Sequence, residues 1–305
     1  MSSEREFIRH LKQRFPVRFP VEVGIGDDGA VINSEGQSQQ VIVTDLLLDG
    51  VHFDLAKISP ELAGRKAIAV NLSDLAAMAC RPTAAFVSIA IPRNLHSADA
   101  FLASLYDGIE ELANRYEFTI AGGDTNAWNG PFAINVCLTG VPFSKTIVLR
   151  CGAKPGDSLY VTGPLGGSLH SGRHLTFEPR LEMSRWLVNN MDLHAMMDIS
   201  DGVSIDLNRM MEASGTGATI DATSIPIHHD VAESSSADLR LANALSNGED
   251  FELLFATAGL PDNAKLPHGA TLTKIGEVTD HANHCLIKHA NGATSPLSES
   301  GWQHI

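Results

Sequence analysis

The chain has 305 residues, 44% of them hydrophobic and 19% charged, which is enough for about two domains with cores of their own. Asp and Glu number 36 against 22 Lys and Arg, and the formal charge of −14 argues against a nucleic-acid partner. The cysteines Cys80, Cys137, Cys151 and Cys285 form no C-x-x-C pair, which argues against zinc and disulfides. No apolar run reaches the roughly 18 residues of a membrane span, and the charged opening MSSEREFIRHLKQRF is not a signal peptide, so a cytoplasmic location is expected with no membrane partner.

Ser3 and Glu6 have capping-box spacing, and Phe7, Ile8, Leu11 and Phe15 predict a short amphipathic helix. Apolar, β-branched runs at QVIVT, AAFVSIAIP and AINVCLTGV predict strands. Two helical stretches intervene, Pro60 to Cys80 and Ser97 to Tyr116, the first with Ser59 as cap and proline in the first helical position. The Gly- and Pro-rich segment from Thr146 to Asp157 reads as a boundary, dividing residues 1–148 from 149–305. The second region offers a strand at SLYVTG, the Gly-rich GPLGGSLHSG and a helix from Pro179 to Asn190. A strand-to-helix junction follows at MMDISDGVSIDLNRMM, then strands at FELLFAT and around Ile275 to Val278. The fold class is α/β (α+β), with mixed sheets flanked by helices.

The informative feature is the placement of acids: Asp27 and Asp28 in GIGDDGA, Asp45 and Asp49 in VTDLLLDG, Asp74 in NLSDLAAM, Asp124 in AGGDTN, Asp198 and Asp201 in MDISDG, Glu249 and Asp250 in NGEDF. Any one alone reads as a solvated surface acid. Such acids on helices usually have a Lys or Arg three or four residues away, whereas these sit among Gly, small residues and large aliphatics. Asp74 lies inside the apolar stretch AIAVNLSDLAAMA, where a lone carboxylate is costly to bury. Gathered carboxylates repel one another, and a hard divalent cation with oxygen ligands removes that penalty. The acids therefore predict metal binding as a group, which also answers how so acidic a chain could attract phosphates.

There is no G-x-x-x-x-G-K-S/T and no protein-kinase signature set. In MDISDG, Ser200 or Asp201 is expected to cap a helix starting at Gly202, with its first amides open to a phosphate. Ser168 in GGSLH is not a nucleophile elbow, and no Rossmann fingerprint occurs. Adjacent His228 and His229 are expected to point their rings apart, as surface residues.

GIGDDGAVI, TDLLLDGVHF, KAIAVNLSDLAAM, GGDT, RCGAKPGD, DISDG, NGEDFELLF and the closing GWQHI resemble, in order, the motif series of bacterial thiamine-monophosphate kinases. The resemblance covers nearly the whole chain. It implies the two-domain fold of the aminoimidazole-ribonucleotide-synthetase-like (PurM-like) superfamily and dimerisation through the first domain. It also implies ATP and thiamine monophosphate as substrates, with several Mg²⁺ ions. Magnesium ligands are implied at Asp28, Thr44, Asp45, Asp74, Asp124 and Asp198, with Asp201 a further ligand. Nucleotide contacts are implied at Gly123, Asp124, Arg150 and Ser200, and substrate contacts at His52, Glu249 and Trp302. Asp45, Asp74, Asp124 and Arg150 are the expected catalytic set. The family often has Ser or Thr before the TD motif; Val43 stands there, so only its main-chain carbonyl could serve as a metal ligand. The passage from the Gly-rich segment to RHLTFEPR is also shorter than the family pattern.

The implied acceptor is a phosphate monoester with a second pKa of about 6, already an anionic nucleophile near neutrality, so no general base is required. The task is to hold two mutually repelling phosphates in line and neutralise the transferring group. Two rival readings stand beside this one: another ATP-using synthetase of the same superfamily, and a catalytically silent nucleotide-binding protein. A selenophosphate synthetase expects a reactive Cys near the N-terminus, and no Cys precedes Cys80. Acids at every motif argue against a silent relative.

Overall fold

The structure is a computed structural model that describes residues 4–33, 39–145, 147–260, 265–267 and 269–301. The amphipathic helix α1 (Glu4–Arg14) opens the chain; Ser3, the expected cap, lies outside the described residues. Next come β1 (Val21–Val23), β2 (Ala30–Ile32), β3 (Gln40–Leu48), α2 (Pro60–Ala77), β4 (Cys80–Pro92), α3 (Ala98–Arg115), β5 (Thr119–Trp128) and β6 (Ala133–Pro142). They form a six-stranded sheet in the order β1-β2-β3-β6-β4-β5, antiparallel except for β4 and β5. A parallel pair needs a crossover, and α3 supplies it.

The second sheet collects β7 (Ser158–Val161), β8 (Leu193–Asp198), β9 (Gly217–Asp221), β10 (Leu253–Thr257), β11 (Thr273–Thr279), β12 (Cys285–Lys288) and β13 (Thr294–Pro296), in the order β13-β12-β9-β11-β7-β10-β8. Its helices are the short α4 (Ser168–Ser171), α5 (Leu181–Asn190), α6 (Val203–Ser214) and α7 (Ala237–Ser246). Alternate residues of one strand face two different cores. Leu253 and Phe255 on β10, with Met196 on β8, join the core around α2, whereas Leu254, Ala256, Ala195 and Met197 join the core under α6. Burial on both faces is why FELLFAT reads as a continuous apolar run.

Helix α2 is therefore enclosed on every side, in contact with β3, β4, β6, α3, α5 and β8. The Ser59 hydroxyl accepts from the Leu62 amide at its start, as expected of a cap. Its approach to α3 depends on two glycines: a Cβ on Gly64 would overlap the Leu105 carbonyl, and one on Gly108 the Glu61 carbonyl. Between Ala63 and Ala77 every residue except Asp74 is buried, so the polar residues of α2 must find partners inside the protein.

Candidate active site

Lys66, Val70 and Asp74 recur every four residues and so lie along one stripe of α2. That stripe forms the floor of a cleft of about 890 Å³ between the two sheets. The Gly26–Asp28 turn, β3, the Arg150 segment, the C-terminal end of β8, the loop before β10 and one side of α1 complete its walls.

At one end, ligand atoms of Asp28, Asp74 and Asp198 lie within 4.8 Å of one another. Arg150 pairs with one Asp28 oxygen, while the other is buried with no hydrogen-bond partner. Ser73 donates its hydroxyl to Asp198 at 2.7 Å. Burial, then the charges of Asp45, Asp198 and Asp28, push the Asp74 carboxyl well above the usual range. Burial, then Asp28, does the same to Asp198, with the Ser73 hydrogen bond opposing. One guanidinium cannot balance this many carboxylates. An all-oxygen donor set with an orphaned buried oxygen fits a hard divalent cation. Asp27 also lines the cleft but is engaged by main-chain amides: its carboxylate accepts from the Asp28 amide at 3.0 Å and the Arg150 amide at 3.3 Å, and burial raises it to about 6.

At the other end, Lys66 is 0% exposed; its ammonium donates to the His52 carbonyl at 2.8 Å and pairs with Glu249. His52 Nδ1 accepts from the Leu48 amide at 3.0 Å, which fixes the neutral ring with its proton on Nε2. Glu249 sits in left-handed backbone (φ 57°), and its amide donates to the Ser200 carbonyl at 2.7 Å.

The cleft gathers Asp28, Thr44, Asp45, His52, Asp74, Arg150, Asp198, Ser200, Asp201 and Glu249 from the expected set. Thr44 also accepts from the Asn135 amide group at 3.0 Å. Val43 is 1% exposed, its side chain in the core, so it brings no side-chain ligand. Gly123 and Asp124 do not join this cleft within one chain. They lie on the edge strand β5, not in a loop, three strand spacings (about 14 Å) from β3. Asp124 is exposed and accepts from Thr125 and Asn126 at 2.9 Å. Gly123 has a structural reason to be glycine, since a Cβ there would overlap the Val87 carbonyl. Trp302 lies outside the described residues.

Two local expectations are corrected. Neither Ser200 nor Asp201 caps α6: Gly202 holds the cap position, and Asp206 reaches back to accept from the Asp201 and Gly202 amides, both at 3.1 Å. Those amides are thus occupied, while Asp201 pairs with Arg209. Burial, then the charge of Asp201, raises Asp206 to about 7. His228 and His229 do not point apart, because their rings meet at 4.1 Å with a 31° tilt. Their ligand atoms and one of Asp230 lie within 4.8 Å of one another, but Arg173 already holds Asp230 at 2.9 Å.

Sequence reasoning missed Lys66, Asp206 and the cations Arg5, Arg9 and Lys12 that α1 brings to the cleft mouth. A lysine beside Gly64 in a stretch with no polar face was the available signal for the first. Six cationic side chains face eight carboxylates in this cleft, a concentration the overall charge concealed.

The fold and cleft define a two-domain protein of the AIR synthase class. "AIR synthase related protein, N-terminal domain" matches residues 26–141, and "AIR synthase related protein, C-terminal domain" matches residues 154–287. Thiamine-monophosphate kinase of Rhodopirellula baltica is 42% identical over 90% of this chain and 89% of its own length. That of Escherichia coli is 35% identical over 94% and 93%. AaThiL complexed with AMPPCP and TMP has a TM-score of 0.84 at 27% identity, covering 99% of this chain and 97% of its own. The chain belongs to the thiamine-monophosphate kinase family. E. coli HypE, a hydrogenase maturation protein with a TM-score of 0.71 at 18% identity, shares the fold alone.

Proposed function

We propose that the cleft transfers the γ-phosphoryl group of ATP to thiamine monophosphate, giving thiamine diphosphate and ADP, with Mg²⁺ at the acidic end. The observation that carries this reading is the convergence of Asp28, Asp74 and Asp198 within 4.8 Å around an unpartnered buried oxygen, in a member of this kinase family. Asp28, Asp74 and Asp198, with Asp45, Thr44 and the main chain at Val43 beside them, would hold Mg²⁺, which when bound neutralises phosphate charge. Arg150 stays charged at any working pH and stands beside Asp28, placed to meet the transferring group. Ser200 faces the nucleotide, and Asp201, steadied by Arg209, serves as a further ligand. His52 offers its Nε2 proton, and Glu249 its carboxylate, to thiamine monophosphate; Trp302 is the implied contact for the cationic thiazolium, which an indole suits. The acceptor phosphate is nucleophilic as it stands, so the residues position and shield it without taking a proton.

The site is completed by a second copy of this chain. Strand β5 is exposed along almost its whole length, and Leu46 and Phe86 stand out from the same sheet at 57% and 44% exposure. A stacked homodimer covers them and carries Gly123 and Asp124 of β5 to the other copy's nucleotide. The domains divide at 148/149, and the protein works in the cytoplasm; no described helix is long and apolar enough to cross a membrane.

The test is a chromatographic assay of purified protein with Mg²⁺, ATP and thiamine monophosphate. Thiamine diphosphate and ADP are expected in equal amounts. ADP that forms without thiamine diphosphate, or no product from folded, nucleotide-binding protein, overturns the reading.

A further inference from the structure

Lys66 has no place in the chemistry above, yet its side chain is among the largest fully buried ones of the described residues. Burying an ammonium is unfavourable unless its partners are well placed, and removing one partner of such a pair leaves the other charge stranded. Its partners come from opposite halves. The His52 carbonyl belongs to the turn after β3, and Glu249 to the loop before β10. Both of these residues are substrate contacts in the proposed function, and both sit in constrained backbone. The His52 ring closes onto the Leu48 amide, and Glu249 is left-handed between Gly248 (φ 67°) and a nearby left-handed Phe251 (φ 51°). A non-glycine residue in that region is strained and needs its surroundings to hold it.

We propose that Lys66 is a positioning residue for thiamine monophosphate: by joining the His52 carbonyl to the Glu249 carboxylate across the two domains, it fixes both groups at the substrate end of the cleft. The inference rests on the kinase reading of that cleft. Burial depresses the ammonium while Glu249 opposes, consistent with a cation retained only through its partner. Asp74 lies two helical turns away on the same stripe, so the nucleotide's end of the cleft is held by other groups.

The test measures binding without turnover, by calorimetry of thiamine monophosphate and, separately, of AMPPCP with Mg²⁺. Lys66→Met should weaken thiamine monophosphate about 10- to 100-fold, the loss of a charged hydrogen bond, and leave AMPPCP within about 2-fold. Glu249→Gln alone should weaken thiamine monophosphate to a similar degree. The double variant Lys66→Met/Glu249→Gln strands no buried charge, so it should melt at or above the temperature of Lys66→Met and bind no worse than Glu249→Gln. That non-additivity is the signature of one residue acting through the other. Equal loss of both ligands in Lys66→Met, or additive losses in the double variant, overturns the proposal. Should Lys66→Met not fold, the double variant decides alone: binding clearly weaker than Glu249→Gln refutes it. A wild-type protein that binds neither ligand refutes the kinase reading instead.

Discussion

The two ends of the α2 stripe solve the same burial problem in opposite ways. At the Lys66 end a buried cation meets a carboxylate and a carbonyl, and the charges close among themselves. At the Asp74 end three carboxylates converge with Arg150 as their nearby cation, and burial together with their neighbours' charge raises Asp74 and Asp198. A self-contained end suits the recognition of an organic substrate, which must bind and leave without rebuilding the site. An end left short of positive charge suits a reaction whose phosphates arrive with their own cations.

The largest effect should come from breaking the incomplete end. Asp74→Asn should lower turnover per folded molecule about a hundredfold or more. In EDTA it should raise the melting temperature, because one repelling carboxylate is gone. Normal turnover with a lowered melting temperature would make Asp74 a structural residue.

Next is the contribution of the second copy to that end. Asp74→Asn and Asp124→Asn chains should each be nearly inactive, yet a refolded mixture should recover about a quarter of wild-type activity, since random pairing makes half the dimers mixed with one intact site each. No recovery from a properly mixed dimer would place Asp124 in its own chain's site, or outside the chemistry.

The other end is probed more gently. Trp302→Ala should raise KM for thiamine monophosphate about 3- to 30-fold, the worth of an indole over a cation. KM for ATP should stay put. Equal weakening of both substrates would make Trp302 a terminal anchor.

The smallest effect is a pH dependence. Asp206 at about 7 and Asp27 at about 6 lie above the ordinary carboxylate value of 3.8, so the folded protein holds more protons than the unfolded chain between those values. Their contribution to stability is greatest near pH 4 and is lost as pH rises to about 7. In EDTA the melting temperature should be several degrees lower at pH 8 than at pH 5.5, and saturating Mg²⁺ should narrow that gap. An unchanged melting temperature across that range would show the cluster to be relaxed by other means.

The same contrast explains what the sequence could reveal. The acids stood out because carboxylates amid glycine and aliphatics break the rule of solvated, paired surface charge, and that holds for Asp74 in any fold. Lys66 was hidden because its partners lie 14 and 183 residues away in sequence, and the lack of a polar face in its stretch was its one local sign. Helix α2 was legible from its Ser59 cap and the proline that follows, whereas Ser97, at the start of α3, makes no side-chain cap hydrogen bond. Strand β5 was not, because TIAGGDTNAW has no apolar face to bury within one chain. The α6 cap was misassigned because Asp206, inside the helix, competes for the same amides as Ser200 and Asp201.

Helix α2 also acts as a ruler. Eight residues separate Lys66 from Asp74, about 12 Å along a helix. Enclosed by both sheets and pinned to α3 at Gly64 and Gly108, it has little freedom to bend or slide. In the proposed reaction a substrate is therefore judged by its length. Unphosphorylated thiamine seated at the Lys66 end would leave its hydroxyl one phosphate short of the acidic end. Thiamine diphosphate seated the same way would reach one phosphate further, into the repulsion of those carboxylates.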